Sequence, residues 1–244
     1  MNNNYNIVAL IPCRSGSKGI IDKNIKIYKG IPLMAHSINI ALQSKYIKDV
    51  YVCTDCKKYQ DIALHYGAKV TPIRPENIST DISPDIDTFK FFLNYFENQY
   101  DIIVHLRPTY PNRNIELLDD TIEKFINNYN NYDSLRTVVK FDKLPYKMYH
   151  ITNRDCDGDG DGDNNSKLIP IIKEFNNYNE PYNQARQLFP NTYLHNGCID
   201  IIKSKIIIEK NMLSGNNIMP YIMNDNETYD IDTIDDFNKS ELKL

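Results

Sequence analysis

NIVALIPCRSGSKGIIDKNIK, running from Asn6 to Lys26, is the stretch that decides the fold. Its opening, Ile7-Val8-Ala9-Leu10-Ile11, is a short unbroken apolar run, the pattern of a strand covered on both faces of a sheet. Pro12 stops it. Arg14, Ser15, Gly16, Ser17, Lys18 and Gly19 follow, with Lys23 and Lys26 close behind. Glycines let a backbone approach a ligand and take conformations other residues resist. Consecutive amides in such a turn converge into an anion cradle, and the lysines and Arg14 supply matching charge. A basic glycine-containing loop after a buried strand therefore reads as a phosphate site at the carboxyl edge of an α/β sheet. The spacing is neither the Walker G-x-x-x-x-G-K-[ST] nor the dinucleotide G-x-G-x-x-G. The plainer alternative is a surface turn with solvated lysines.

The rest of the chain repeats the alternation. Leu33 to Leu42 reads as a helix opened by Pro32, broadly apolar and so a cover for the sheet; His36 within it is expected to be packed or half-exposed rather than a ligand. Asp49 to Asp55 reads as a strand, Lys58 to Tyr66 as a helix stopped by Gly67, and Lys69 to Ile73 as a third strand. Ser83-Pro84-Asp85 starts a helix whose Phe89, Phe92, Leu93 and Phe96 make a core stripe. Ile102 to Leu106 is a strand, Ile115 to Tyr129 a helix, and Ser134 to Val139 a strand. Strand and helix in turn predict an α/β fold, a mostly parallel twisted sheet flanked by helices. Order returns with Tyr193 to Ile202 and Met219 to Met223 as strands and Thr233 to Leu242 as a capped helix.

Between them, residues 142–191 break the pattern and read as an excursion from a single domain spanning residues 1–244. An acidic loop at residues 153–166 lies inside it. There Asp155, Asp157, Asp159, Asp161 and Asp163 alternate around Gly160, like the first half of an EF-hand. The twelfth position is Ser166 rather than a bidentate glutamate, so an acidic low-complexity insertion is the simpler reading and calcium the alternative. Near the end, Asp230-Ile231-Asp232 puts both carboxylates on one face of an extended segment. Such oxygens suit a hard cation such as Mg²⁺ (or Mn²⁺) bound with phosphates. Helix capping is an equal alternative.

A net charge of -4 argues against a general nucleic-acid binder, which needs a basic face. The first residues have no basic start followed by an apolar core, and no run could span a bilayer. Five irregularly spaced cysteines read as reduced thiols, and the expectation is a cytoplasmic protein with no membrane partner. Cys53-x-x-Cys56 has no second pair to complete a zinc site.

Taken together, these pieces resemble the acylneuraminate cytidylyltransferase family, which makes CMP-sialic acid and related CMP-nonulosonic acids. The likeness is carried in order by Ile11 to Gly19 with Lys23-Asn24, by Cys53-Thr54-Asp55, by Arg74-Pro75 with Asp81, by Leu106-Arg107-Pro108-Thr109-Tyr110-Pro111, by Arg186-Gln187, by Asn196-Gly197, and by Asp230-Ile231-Asp232-Thr233 with Asp236-Phe237. The resemblance implies a Rossmann-like nucleotidyltransferase domain. It implies CTP and a keto sugar acid as substrates, with CMP-sugar and pyrophosphate as products. It implies Arg14, Ser17, Lys18, Gly19, Lys23, Asn24, Arg74 and Asp81 at the nucleotide, with Arg14, Lys18 and Lys23 catalytic. Arg107, Thr109, Tyr110, Lys147, Arg186, Gln187, His195 and Asn196 would meet the sugar, and Asp230 and Asp232 the metal. A homodimer is implied too, the excursion packing on a second subunit. The chain departs from the family at Arg107 (usually glutamine), Tyr110 (serine), His195 (often arginine) and Ser15 (often glycine). These departures predict an acid other than plain sialic acid, of legionaminic or pseudaminic type. The competing readings are a sugar-phosphate nucleotidyltransferase and a non-catalytic binding protein that uses the acidic loop.

Overall fold

In the computed structural model, residues 5–152, 166–224 and 230–242 are described. The acidic loop, apart from Ser166, lies outside them. The described residues form two compact units, one from residues up to 138 together with those from 195 onward, the other from residues 139–194.

The elements follow in chain order as β1 (Ile7–Pro12), β2 (Ile27–Tyr28), β3 (Ile31–Pro32), α1 (Leu33–Gln43), β4 (Asp49–Cys53), α2 (Lys57–His65), β5 (Lys69–Val70), α3 (Asp85–Tyr95), β6 (Ile102–His105), α4 (Ile115–Asn127) and β7 (Ser134–Phe141). Then come β8 (Tyr149–Thr152), β9 (Lys167–Pro170), β10 (Thr192–Lys203), α5 (Ser204–Lys210), β11 (Ile218–Met223) and α6 (Ile234–Leu242). One seven-stranded sheet runs β11-β7-β10-β6-β1-β4-β5. β1 lies inside it, parallel to β4 on one side and β6 on the other. That position explains why Ile7 to Ile11 is apolar without alternation: all five residues are buried, with helices to cover both faces. β10 enters antiparallel to β6 in the interior of the sheet, which is therefore mixed.

Each helix follows from its sequence. α1 buries Leu33, Met34, Ala35, Ser37, Ile38, Ile40 and Ala41, most of its circumference. Lys29 and Gly30, both at positive φ, close the two-residue turn between β2 and β3, so Ile31-Pro32 is a strand and the helix starts one residue later. α4 begins at Asn114, whose side chain accepts from the Leu117 amide at 2.7 Å. On α3, Phe89, Phe92 and Leu93 sink into a core shared with Leu10, Tyr51, Tyr100 and Ile103. Burying each such side chain stabilises the fold by about 1.5–3 kcal/mol. Ile207 reaches the same core from α5. The isoleucine-rich sequence of α5 did not suggest a helix; burial overrides the β-preference of its branched residues.

The second unit has more order than an excursion suggests. β8 and β9 pair antiparallel, and Leu144, Tyr146 and Phe189 form a small core with Ile172 and Phe175 packed on it. Tyr146 and Phe189 stack with centroids 4.5 Å apart.

Candidate active site

The carboxyl ends of β1, β4 and β6 meet at one edge of the sheet, and the loops that leave them build the site. After Pro12 the ladder continues for one residue, Cys13 N–H donating to Cys53 O at 2.9 Å. The chain then turns away through Gly16 at φ 70°. Two neighbours pin this turn. The Asp55 carboxylate accepts from the Ser15 amide at 2.7 Å and its hydroxyl at 2.9 Å, and the Asn24 amide donates to Arg14 O at 3.0 Å.

The basic side chains converge as expected, and a carboxylate already sits between two of them. Asp81 lies 2.6 Å from Arg14 Nη2 and 2.6 Å from Lys18 Nζ. The Lys18 hydrogen bond, with that from Arg14, holds the Asp81 carboxyl below its ordinary range. Oxygen anions are therefore what this corner accepts. Arg74 is buried and reaches Ser79 Oγ and Thr88 Oγ1, both at 2.9 Å. Arg14, Ser17, Lys23, Arg74, Asp81 and Thr109 line a cleft of about 270 Å³.

The carboxylate segment arrives from the far end of the chain. Ile231 is fully buried with Ile20, Tyr28, Leu33 and Phe237, which turns Asp230 and Asp232 outward by strand alternation. Ile231 N–H donates to Thr109 O at 2.8 Å. Lys23 Nζ donates to Ile231 O at 3.0 Å and to Asp232 Oδ1 at 3.1 Å. Gly19 is needed here, since a Cβ on it would stand 3.0 Å from Asp232 O. Desolvation raises the Asp230 carboxyl even though its side chain reaches solvent; the Thr109 hydrogen bond opposes that, and the neighbouring Asp232 charge adds to it. Capping is a separate job: Asp236 accepts from the Thr233 hydroxyl at 2.7 Å and its amide at 2.9 Å, while Asp236 N–H donates back to Thr233 Oγ1. Asp230 and Asp232 are therefore not the residues that cap α6.

A third group adjoins the cleft through His105 and Arg107. Asp200, in the middle of apolar β10, pairs in register with His105 of β6. Its side chain is 3% exposed; Oδ2 accepts from Arg107 Nη1 and Oδ1 meets His195 Nε2, each at 2.7 Å. Burial alone would push this carboxyl up, but the His195 bond and the Arg107 charge outweigh it and hold it far below the usual range. Sequence reasoning missed Asp200. The available signal was a lone charge inside Cys198-Ile199-Asp200-Ile201-Ile202.

Two expected sugar residues are corrected. Tyr110 is 1% exposed beneath the Arg113 guanidinium, so its bulk fills the interior and not the cleft. Asn196 is also buried, its Oδ1 taking the Thr137 hydroxyl and the Cys198 amide, its Nδ2 reaching Met223 Sδ. These bonds tie it into β10 and its neighbours. Lys147, Arg186 and Gln187 belong to the second unit, where Lys147 is exposed and Arg186 lies 3.4 Å from Asp142. His36 is half-buried and bonds Tyr28 O at 2.9 Å. Cys53 and Cys56 are free thiols.

His105 gives a pH signature. Burial, and then the Arg107 charge, hold its imidazole well below the model-peptide value of 6.5. The unfolded chain takes up a proton near 6.5 that the folded chain refuses, so stability falls as pH drops below that value. His36 is shifted the same way by burial, and Asp200 adds an acid loss only below 3.8. Melting temperature followed from pH 7.5 to 5.5 should fall less steeply in His105→Asn than in the parent; parallel slopes would clear His105 of this role.

Among known proteins, the family model described as cytidylyltransferase matches residues 8–214. CMP-N,N'-diacetyllegionaminic acid synthase of Legionella pneumophila is 31% identical over 96% of this chain and 94% of its own. N-acylneuraminate cytidylyltransferase of Streptococcus agalactiae is 28% identical over 94% of this chain and 51% of its own, so the chain spans about half of that relative. Among solved structures, CMP:2-keto-3-deoxy-manno-octonic acid synthetase complexed with CTP superposes with a TM-score of 0.68 at 16% identity, covering 97% of both chains, which is a likeness of fold.

Proposed function

Since the chain belongs to the cytidylyltransferase family, we propose that it transfers CMP from CTP to the anomeric hydroxyl of a nonulosonic acid and releases pyrophosphate. One observation carries the reading: Lys23, which lines the cleft, is bonded to Ile231 O and Asp232, so the basic loop and the carboxylate segment are joined directly. The names of the relatives supply the class of acceptor.

In this reading the triphosphate takes the place at Arg14 and Lys18 that the Asp81 carboxylate holds, one oxygen anion exchanged for another. The amides of the Gly16 to Gly19 turn and the Lys23 ammonium complete the cradle. The sugar hydroxyl attacks the α-phosphorus in line, the bond to pyrophosphate breaks, and the new negative charge on the leaving oxygens falls beside these cations. Arg74, braced by Ser79 and Thr88, holds its side of the nucleotide in place. Asp230 and Asp232 fit a hard divalent cation, since both carboxylates are exposed oxygen ligands separated by one residue and the Asp232 charge adds to the desolvation that raises Asp230, a repulsion a shared cation would relieve. Such an ion, when bound, neutralises phosphate charge and polarises the oxygens it touches.

The chain is also proposed to pair with a second copy. Ile151 and Leu168 stand opposite each other on the β8–β9 hairpin and are 61% and 62% exposed, an apolar face that suits burial. No described helix is long and apolar enough to cross a membrane.

Pyrophosphate release tests the reaction. CTP with a free nonulosonic acid should give stoichiometric pyrophosphate and CMP-sugar, with little release from ATP, GTP or UTP. Release that requires a sugar 1-phosphate would move the chain to the sugar-phosphate nucleotidyltransferases, and no release with any pair would refute the proposal.

A further inference from the structure

Asp200 has no part in the reaction just described, yet its placement is costly. A carboxylate 3% exposed in an apolar strand is tolerated only when paired and hydrogen-bonded. A buried ion pair is also a poor way to gain stability, since well-packed apolar side chains usually do as well. What distinguishes this pair is where its partners go. Arg107 and His195 keep 26% and 32% of their side chains exposed, each held by one oxygen of the same carboxylate. Arg107, with His105 behind it, lines the cleft beside Thr109, whose hydroxyl bonds Asp230. The Arg107 fork is held on a second side as well: Nη1 donates to Gly197 O at 3.3 Å, and Asp85 stands 3.8 Å from Nη2. At Gly197, with φ at 69°, even an added Cβ would touch the guanidinium at 3.5 Å, so the backbone braces it closely.

We infer that Asp200 is a positioning residue for the sugar acid: it fixes the Arg107 fork, with the His195 ring held on its other oxygen, so that the remaining guanidinium donors meet an acceptor-only oxygen of that substrate, and thereby sets which acids are used. A guanidinium has five N–H donors, so with the Nη1 pair spent on Asp200 and Gly197 O the Nη2 and Nε donors are left to grip a planar oxygen pair or a carbonyl. The oxygen belongs either to the substrate carboxylate or to an acyl-amide carbonyl; the chemistry is shared and the experiment separates them. The inference rests on the cytidylyl transfer proposed above.

The test is steady-state kinetics with CTP, varied separately from each of three acceptors: an N-acylated nonulosonic acid, its counterpart without the acyl-amide, and a shorter 3-deoxy-2-keto sugar acid. Asp200→Asn should raise KM for the sugar acid about 10- to 100-fold, the loss that goes with a charged hydrogen bond. KM for CTP should stay within about twofold and kcat should fall far less than the sugar KM rises, the pattern of lost substrate binding. Asp200→Glu should recover part of the loss. Arg107→Gln should match Asp200→Asn, and the double variant should be no worse than either, because the residues act as one unit. A rise equal for all three acids assigns the oxygen to the carboxylate; a rise confined to the N-acylated acid assigns it to the acyl carbonyl. Should Asp200→Asn not fold, Arg107→Lys asks the same question, since lysine keeps the charge without the fork. Equal rises in both KM values, a fall in kcat alone, additive singles, or an unchanged sugar KM in Arg107→Lys would overturn the inference while the reaction stands. No turnover by the unsubstituted chain would overturn the reaction and this inference with it.

Discussion

Asp232→Asn is expected to lower kcat for CMP-sugar formation by about 10²–10³-fold, the size of effect seen when one group aimed at developing charge is removed. Asp230→Asn is expected to do the same. The fold should be spared, because Asp232 is 70% exposed and its contact with Lys23 is of the surface kind worth about 0–1 kcal/mol. A loss of that size lowers the melting temperature by about 2–4 °C in a chain of this length. The two variants are separable from simple damage by their ion dependence. If the carboxylates hold a cation, the activity left in either single variant should need a higher Mg²⁺ concentration for half-saturation. Near-parental turnover at ordinary Mg²⁺ would remove that aspartate from the cation site. Their burial pattern underlies the expectation: Ile231 is the only residue of the three drawn into the core, and both neighbours are exposed beside it.

The second large effect belongs to Lys23. Its side chain is 15% exposed, and its ammonium is bonded both to Ile231 O and to Asp232. Lys23→Ala therefore removes a phosphate cation and also the tie that holds the carboxylate segment against the basic loop. Turnover should fall about 10²–10³-fold with a rise in KM for CTP, since the group acts on ground state and transition state together. Because Lys23 and Asp232 share a contact, the double variant should lose far less than the product of the two single losses. Strict additivity would mean the two act in separate places. Lys23→Arg should recover only part of the activity, because the wider fork does not reproduce the pair of bonds a single ammonium makes.

The sequence made the framework of this site legible because its signals are local. An apolar run followed by a basic glycine loop needs only the chain itself to be read, and the buried β1 and the pinned Arg14–Gly19 turn answer to it. The alternation in Asp230-Ile231-Asp232 is equally local; Ile231 is buried as it predicts, and capping falls to Asp236. What was illegible depends on strand pairing. β10 enters the sheet antiparallel beside β6, which sets Asp200 opposite His105 and brings it to Arg107, a residue 93 positions away. No spacing within either segment encodes that meeting. Tyr110 and Asn196 failed for a related reason: a polar residue in a motif reads as a ligand contact until its partners are known. Arg113 and Cys198 turn out to surround Tyr110, and Thr137, Cys198 and Met223 to bond Asn196. The second unit hid its order because β8 and β9 are short and are separated in the chain by the acidic loop.

The account stands on the basic turn and the carboxylate pair serving one nucleotide. A crystal structure with a non-hydrolysable CTP analogue and Mn²⁺ tests this directly, because Mn²⁺ is located by its anomalous scattering. The account predicts the triphosphate against Arg14, Lys18 and Lys23, with Asp81 displaced from the two cations it now holds, and Mn²⁺ bound to Asp230 and Asp232 within reach of the phosphates. A triphosphate lodged away from the Arg14–Lys23 loop, or an ion that ignores both aspartates while the nucleotide is bound, would contradict it.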